Sequence, residues 1–165
     1  MNDDRSHSQK SRESETRAQY LTFHLGEEEY GIEILRVQEI KRYPAVTPIP
    51  NSPPHIKGVM NLRGSVVPIL DLRTRFGLPA VEHTRFTVII VVTVGTKVVG
   101  LVVDSVSDVL AFTPSQIEPP PQLAMGTKDS FLTGMAKHDE RLISLLAIDA
   151  VAERDDTVAA VEEAA

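Results

Sequence analysis

The chain has 165 residues, 42% of them hydrophobic, and a formal net charge of −6. This length suffices for one domain or two small lobes, and the acidic balance argues against nucleic-acid binding, which usually requires a basic excess. The sequence contains no cysteine, which excludes disulfide bonds, thiolate metal sites and thiol catalysis.

Residues 1–19 are almost entirely polar or charged. Such a segment buries too little apolar surface to offset the entropy lost on ordering, so a disordered N-terminal tail is expected. The tail lacks the apolar core typical of a signal peptide, and no apolar run approaches the roughly 18 residues that span a bilayer. The prediction is a cytoplasmic protein without direct membrane insertion.

The elements that follow the tail carry mixed signals. Residues 20–25 alternate polar and apolar side chains, which predicts a half-buried strand. Ile34, Val37 and Ile40 recur three residues apart, which favours one or two helical turns over a strand. Five prolines within residues 44–54 exclude a central strand and predict an extended loop or an edge strand.

Two apolar runs in residues 56–72 flank the sequence Asn-Leu-Arg-Gly at residues 61–64. This pattern predicts a β-hairpin, because glycine accepts the positive φ that such turns need. The turn places Arg63 at the tip, between apolar flanks. An arginine there suits contact with a protein partner, since its planar head forms ion pairs and its long stem packs on apolar surface. A solvated turn arginine is the alternative.

An internal repeat leads to the predicted architecture. Residues 21–40 match residues 90–109 in the order of their apolar and glycine positions, and residues 56–72 match residues 132–148. Two copies of a unit of about five short strands, each closing into a small barrel, are the simplest account. The predicted fold class is mainly β, with two pseudo-symmetric β-barrels packed together.

The repeat also suggests boundaries. A first barrel lobe is expected at about residues 20–84 and a second at about residues 85–151, within one domain of residues 20–154. Residues 155–165 are rich in alanine and glutamate and are predicted to form a helical C-terminal tail that frays. Which barrel the N-terminal strand completes is left open by the sequence.

Motifs for catalysis, metal binding and nucleotide binding are absent from the sequence. Asp104 ends an apolar run and Asp71 lies within another, where a carboxylate could serve acid–base chemistry, but both are interpreted as turn or cap carboxylates. The histidines fall on separate elements without metal-ligand spacing: His7, His24, His55, His83 and His138. The prediction is a protein that is not an enzyme and holds neither a metal nor a cofactor.

From about residue 20 to residue 151 the chain resembles the CheW family of chemotaxis coupling proteins. The motifs that carry the resemblance occur in the order of the family: residues 26–32 (GEEEYGI), 37–40 (VQEI), 56–59 (IKGV), 61–64 (NLRG), 67–72 (VPILDL), 98–104 (VVGLVVD) and 106–110 (VSDVL). The resemblance implies two five-stranded, SH3-like barrels with short helices and a C-terminal helix.

The resemblance further implies a non-enzymatic adaptor in two-component chemotaxis signalling. Its expected partners are the regulatory domain of the histidine kinase CheA and the cytoplasmic tips of chemoreceptors (methyl-accepting chemotaxis proteins). A receptor helix would lie in the apolar groove between the barrels. The adaptor is expected to be a monomer when free, to form rings in signalling arrays, and to be cytoplasmic but recruited to membrane-associated receptors.

Site residues follow from the resemblance by position. The residues expected to face the receptor are Val37, Glu39, Gly58, Asn61 and Arg63, and Val109 is expected to contact the groove or the kinase. Two of these have structural alternatives. The spacing of Val37 with its apolar neighbours equally predicts a core position, and Gly58 is also explained by a close approach of two backbone segments.

Three alternatives remain open at this stage. The chain could serve the same kind of adaptor role in another pathway, such as pilus motility. It could be the CheW-like module of a larger kinase or of a relative fused to a receiver domain. It could also be an enzyme or a small-ligand barrel, in which case turnover would depend on Asp71 or Asp104.

Overall fold

The computed structural model describes residues 17–43, 46–119 and 131–153, and the prediction of a mainly β fold is confirmed. The strands are β1 Ala18–Leu25, β2 Glu28–Glu33, β3 Val37–Arg42, β4 Ile56–Leu62, β5 Ser65–Asp71, β6 Val88–Val94, β7 Lys97–Val103, β8 Ser105–Phe112, β9 Ile117–Glu118, β10 Leu132–His138 and β11 Arg141–Leu146. The helices are α1 Leu72–Arg75 and α2 Ile148–Glu153, with 3-10 turns at Ile34–Arg36 and Pro114–Gln116. No helix in these ranges is long and apolar enough to cross a membrane.

The strands form two sheets, compatible with two SH3-like barrels. A six-stranded sheet has the order β8-β1-β2-β11-β10-β9, and a five-stranded sheet has the order β3-β6-β7-β5-β4. Neighbouring strands are antiparallel, except that β11 pairs with β2 and β5 pairs with β7 in parallel. Strand β1 therefore joins the sheet built mostly from the second half of the chain, which answers the question that the sequence left open.

The two sheets do not coincide with the contiguous lobes expected at residues 20–84 and 85–151. Hairpin β1–β2 lies with β8–β11, and hairpin β6–β7 lies with β3–β5. The repeat makes these hairpins equivalent, with turn glycines Gly26 and Gly95 at φ values of +63° and +61°. Because the hairpins are equivalent, the sequence repeat does not predict which sheet each hairpin joins. Short connections between the sheets limit the choice; for example, Asp104 alone links β7 to β8.

One hydrophobic core joins the two sheets. An aromatic row runs through it, with ring centroids 5.8 Å apart for Phe23 and Tyr30, 5.5 Å for Tyr30 and Phe76, and 5.6 Å for Phe76 and Phe131. The same cluster contains buried residues of β6 and β7 from the other sheet. Two smaller clusters pack within the individual sheets. The shared core makes the two sheets a single packed unit.

The ends of two predicted segments were wrong. The helical turn covers only Ile34–Arg36, and the next residues form β3, because pairing with β6 overrides the three-residue spacing. Strand β1 begins at Ala18, inside the expected tail, where Ala18 and Gln19 pair with Phe112 and Ala111. The rest of the N-terminal tail, residues 1–16, and the C-terminal tail at residues 155–165 lie outside the described residues.

Candidate functional site

The predicted hairpin at residues 56–72 is confirmed, and its tip is a two-residue turn. Leu62 pairs with Ser65, which leaves Arg63 and Gly64 as the central residues. Their φ values are +51° and +88°, the signature of a type I′ turn, whose twist matches the flanking strands. The Gly64 amide donates a hydrogen bond of 2.8 Å to Oδ1 of Asn61. This hydrogen bond spans the turn from the strand to its last central residue.

The tip brings two predicted site residues together. Nη1 of Arg63 lies 2.7 Å from Oε2 of Glu39 on β3, and Nζ of Lys41 lies 3.7 Å from Oε1 of the same carboxylate. Strands β3 and β4 are opposite edges of the five-stranded sheet, so this ion pair spans the two edges of a curled sheet.

The exposure of the Arg63 guanidinium matters for its role. The Arg63 side chain is 73% exposed and that of Glu39 is 22% exposed. An ion pair this open to water contributes only about 0–1 kcal/mol to stability. The pair is therefore better suited to presenting a guanidinium to a partner than to holding the fold together.

Two neighbours of the tip were not identified from the sequence. Val66 lies directly opposite Asn61 in the β4–β5 ladder and is 52% exposed. Lys41 shares the carboxylate of Glu39 with Arg63. The period-2 alternation of β4 and β5 would have placed Val66 beside Asn61, but only tertiary structure brings β3 to the tip. Together these residues form a surface that we call the tip surface: Glu39, Lys41, Asn61, Arg63 and Val66.

Val37 and Gly58 have structural roles that fit the alternatives considered above. Val37 is half-buried and packs against the main core. Gly58 is buried with a φ of +145°, and a Cβ there would lie 2.6 Å from the carbonyl carbon of Thr47 and 3.0 Å from Cα of Pro48. Receptor contact by either residue stays a prediction.

Val109 lies in the other sheet, on a separate surface. It is 50% exposed on β8 and shares one face of that strand with Ala111, two residues further on. Ala111 lines a groove of about 450 Å³ together with the apolar residues Ala18, Ile34 and Leu35 and the polar residues Arg17, Gln19 and Glu33. Leu35 is 91% exposed. We call this the groove surface: Ala18, Leu35, Val109 and Ala111.

The two carboxylates considered for catalysis are held by structural bonds. Asp71 caps α1 by accepting a hydrogen bond of 3.0 Å from the Arg73 amide. Asp104 accepts two bonds from the Arg73 guanidinium, at 2.8 and 2.6 Å, and one of 2.7 Å from the Gly26 amide. These bonds lower the pKa of Asp104, the Arg73 bonds most strongly. The interpretation of both as turn or cap carboxylates is confirmed.

Comparison with known proteins places the chain in a family. Residues 19–156 match the CheW-like domain family. The chain belongs to this family. It is 50% identical over 131 residues to the chemotaxis protein CheW of Klebsiella aerogenes, covering 79% of each chain. It is 39% identical over 140 residues to CheW of Rhizobium meliloti, covering 85% of this chain and 90% of the relative.

A solved structure agrees with this assignment. The crystal structure of the scaffolding protein TtCheW from Thermoanaerobacter tengcongensis is similar with a TM-score of 0.77 and 34% identity, covering 81% of this chain and 91% of that one. The resemblance inferred from the motifs is thereby confirmed. Within the described residues of this CheW-like domain, no group of three histidine, aspartate or glutamate side chains could hold a metal ion.

Another arginine of the CheW-like domain, Arg141, forms an ion pair that is less exposed than the pair at the tip surface. Arg141 binds the carboxylate of Glu29 through Nε, at 2.9 Å, and through Nη2, and Nη2 also lies 2.9 Å from Oδ2 of Asp108. The Arg141 guanidinium therefore joins β11 to β2 and β8. Because Glu29 is only 8% exposed, removing one partner would leave a buried charge unpaired, which costs more than breaking the open pair at the tip.

Glu29 leads to a prediction about acid stability. Hydrogen bonds from Arg141 lower the pKa of Glu29, so below about pH 4.3, the ordinary pKa of a glutamate, the unfolded state binds more protons than the folded state. The free energy of unfolding should therefore fall as the pH falls through the pKa of folded Glu29. Glu29→Gln should cost about 1.5–3 kcal/mol at neutral pH and flatten this acid dependence.

Urea unfolding at several pH values between neutrality and pH 3 measures both effects. Asp139→Asn is the matched control, because the Asp139 side chain is 87% exposed and should change neither the neutral stability nor the acid slope. An unchanged acid slope in Glu29→Gln would contradict the assignment.

Proposed function

We propose that this CheW-like domain is a non-enzymatic chemotaxis adaptor that couples chemoreceptor tips to the histidine kinase CheA. Membership of the family and the relatives named as chemotaxis proteins support a chemotaxis scaffold. The observation that carries the finer proposal is the presence of two different exposed surfaces on one packed domain. One is centred on the charged side chain of Arg63, and the other on the apolar side chain of Leu35.

The tip surface suits the receptor. Arg63 points an exposed guanidinium from a fixed turn, and Val66 adds apolar area beside it. A helical receptor tip would lay its apolar side chains on Val66 and its polar side chains on the guanidinium, so that polar groups set its orientation. Glu39 holds the arginine at one side of this surface, and Lys41 pairs with the same carboxylate.

The groove surface suits the regulatory domain of CheA, which the resemblance gives the same fold. An almost fully exposed leucine beside an open groove is typical of a surface that a protein partner covers. If the adaptor and a CheA domain of the same fold meet through unlike faces, their head-to-tail contacts form a ring when the rotation between neighbours closes. Contacts that are weak one by one then reinforce each other through effective concentration. The free protein is a monomer in this proposal.

The proposal is tested by separating the two contacts. Arg63→Ala should reduce affinity for a receptor-tip helix bundle about tenfold, the loss expected for an arginine that anchors an interface, and leave CheA binding and thermal stability unchanged. Leu35→Ser should do the reverse, weakening CheA binding alone. Calorimetric titration with each partner and thermal unfolding provide the measurements.

Arg85→Ala is the matched control for Arg63→Ala, because Arg85 is also exposed but rests over the ring of Phe86. It should bind both partners normally. The proposal fails if wild type binds neither partner, or if each substitution weakens both contacts equally while the domain stays folded.

A further inference from the structure

We infer that Asn61 is a positioning residue for Arg63: its side chain selects the turn that aims the guanidinium at Glu39. The inference rests on the proposed function and goes beyond it, because it assigns Asn61 a role within the chain instead of contact with the receptor. Its basis is the hydrogen bond of 2.8 Å from the Gly64 amide to Oδ1 of Asn61, which spans the turn.

The conformation of Arg63 needs such support. Among the described residues, the non-glycine residues with a positive φ are Asn51, Arg63 and Asp139. Asparagine and aspartate tolerate this region, since their short side chains bond locally, whereas arginine gains no such compensation. A strained residue is kept only where its surroundings enforce it, and such strain is concentrated at functional positions. Here the enforcing groups are Asn61 and Gly64.

The second hairpin of the repeat provides an internal comparison. Lys137 takes the position of Asn61, and His138 pairs with Arg141 across a two-residue turn. There Asp139 has a φ of +55°, but Glu140, also a described residue, is not among the positive-φ residues. A lysine side chain has only donors, so it cannot accept the turn amide. The second hairpin nevertheless closes, so a two-residue turn at this position of the repeat forms without such a bond.

The two hairpins differ in the position of their arginine. In the first hairpin, positive φ at both central residues directs Arg63 from the turn to Glu39, at 2.7 Å. In the second, the turn residue is Asp139, and the arginine that pairs with β8 is Arg141 of strand β11. Of these two hairpins, the one with an arginine at the centre of its turn is therefore the one that has the asparagine.

Two substitutions of Asn61 test the inference. Asn61→Ala removes the acceptor and should lower affinity for the receptor-tip bundle about fivefold, the effect of one lost hydrogen bond, with CheA binding unchanged. Asn61→Asp keeps an acceptor oxygen and should restore affinity to within about twofold. Lys137→Ala, at the equivalent position, is the control and should change neither contact.

A readout that needs no partner accompanies the affinities. Hydrogen exchange of the Gly64 amide should quicken in Asn61→Ala and return to the wild-type rate in Asn61→Asp, because the amide loses and regains its acceptor. If wild type does not bind the receptor tip, the proposed function fails, while Gly64 exchange still decides whether Asn61 locks the turn.

Gly64→Ala should also lower the affinity for the receptor tip. Nothing lies within 4 Å of a Cβ built on Gly64 or on Gly95, so both substitutions act only through positive φ. Gly64→Ala should weaken receptor binding, and Gly95→Ala, in the remote β6–β7 turn, should not. The inference is overturned if Asn61→Ala leaves Gly64 exchange and affinity unchanged, or if Asn61→Ala and Asn61→Asp weaken binding equally without changing the exchange.

Discussion

Gly58→Ala is expected to destabilise the domain by more than about 4 kcal/mol, among the largest effects of a single substitution. A Cβ on Gly58 would overlap the carbonyl group of Thr47, whose carbon would lie at 2.6 Å. The overlapping atoms are backbone, so they cannot move aside as a flexible side chain would. The φ of +145° adds strain for any residue with a Cβ.

The cost of relieving this overlap is also visible in the structure. Thr47 and Val59 exchange backbone hydrogen bonds of 2.8 and 2.9 Å, so a loop that lifted away from Gly58 would lose both. Thermal and urea unfolding measure the loss of stability. We expect receptor and CheA binding to fall together, because the fold and not one contact is damaged.

Gly77→Ala is the control for Gly58→Ala. Gly77 has a φ of +76° and nothing within 4 Å of a built Cβ, so the cost should be limited to about 1–2 kcal/mol of backbone strain. If Gly58→Ala instead unfolded like wild type and lost only receptor binding, Gly58 would be a contact residue, as the resemblance suggested.

Phe23→Ala is expected to cost about 3–5 kcal/mol, the range for removing a buried aromatic ring. Phe23 is fully buried, and its ring stacks on Tyr30 at 5.8 Å. The cluster around it contains residues from both sheets, including Ile90 and Leu101. Because the core is shared, both sheets should lose stability together and unfold in one transition at a lower urea concentration.

Far-UV circular dichroism is the suitable signal for this experiment, since the chain has no tryptophan. Phe86→Ala serves as the control, because Phe86 is 57% exposed and its removal leaves no cavity. Two separate transitions in Phe23→Ala, with one sheet melting at the wild-type midpoint, would show that the sheets do not share their stability.

The tip surface was predictable in part. The hairpin and the position of Arg63 at its tip followed from the turn sequence, because positive φ and strand alternation are encoded within a few neighbouring residues. The pairing of Glu39 with Arg63 did not follow, since these residues lie on strands at opposite edges of a sheet. The partner of Asp104 was missed for the same reason, because Arg73 belongs to a different element.

Strand β3 shows where a local pattern failed. Its apolar residues recur every third position, which favoured a helical turn, but a bulge between Val37 and Glu39 in the ladder with β6 produces the same spacing in a strand. The bulge exists only in relation to the partner strand. A spacing rule applied to one segment could not detect it.

Turn positions, the strand repeat and the family motifs are properties of short segments, and the sequence alone specifies them. The exchange of hairpins between the sheets is a property of the whole chain. Hairpins β1–β2 and β6–β7 offer equivalent edges and equivalent apolar faces, so local energetics do not distinguish their two possible positions. The short crossing at Asp104 and the core shared around Phe23 favour one arrangement, and both exist only once the chain has folded.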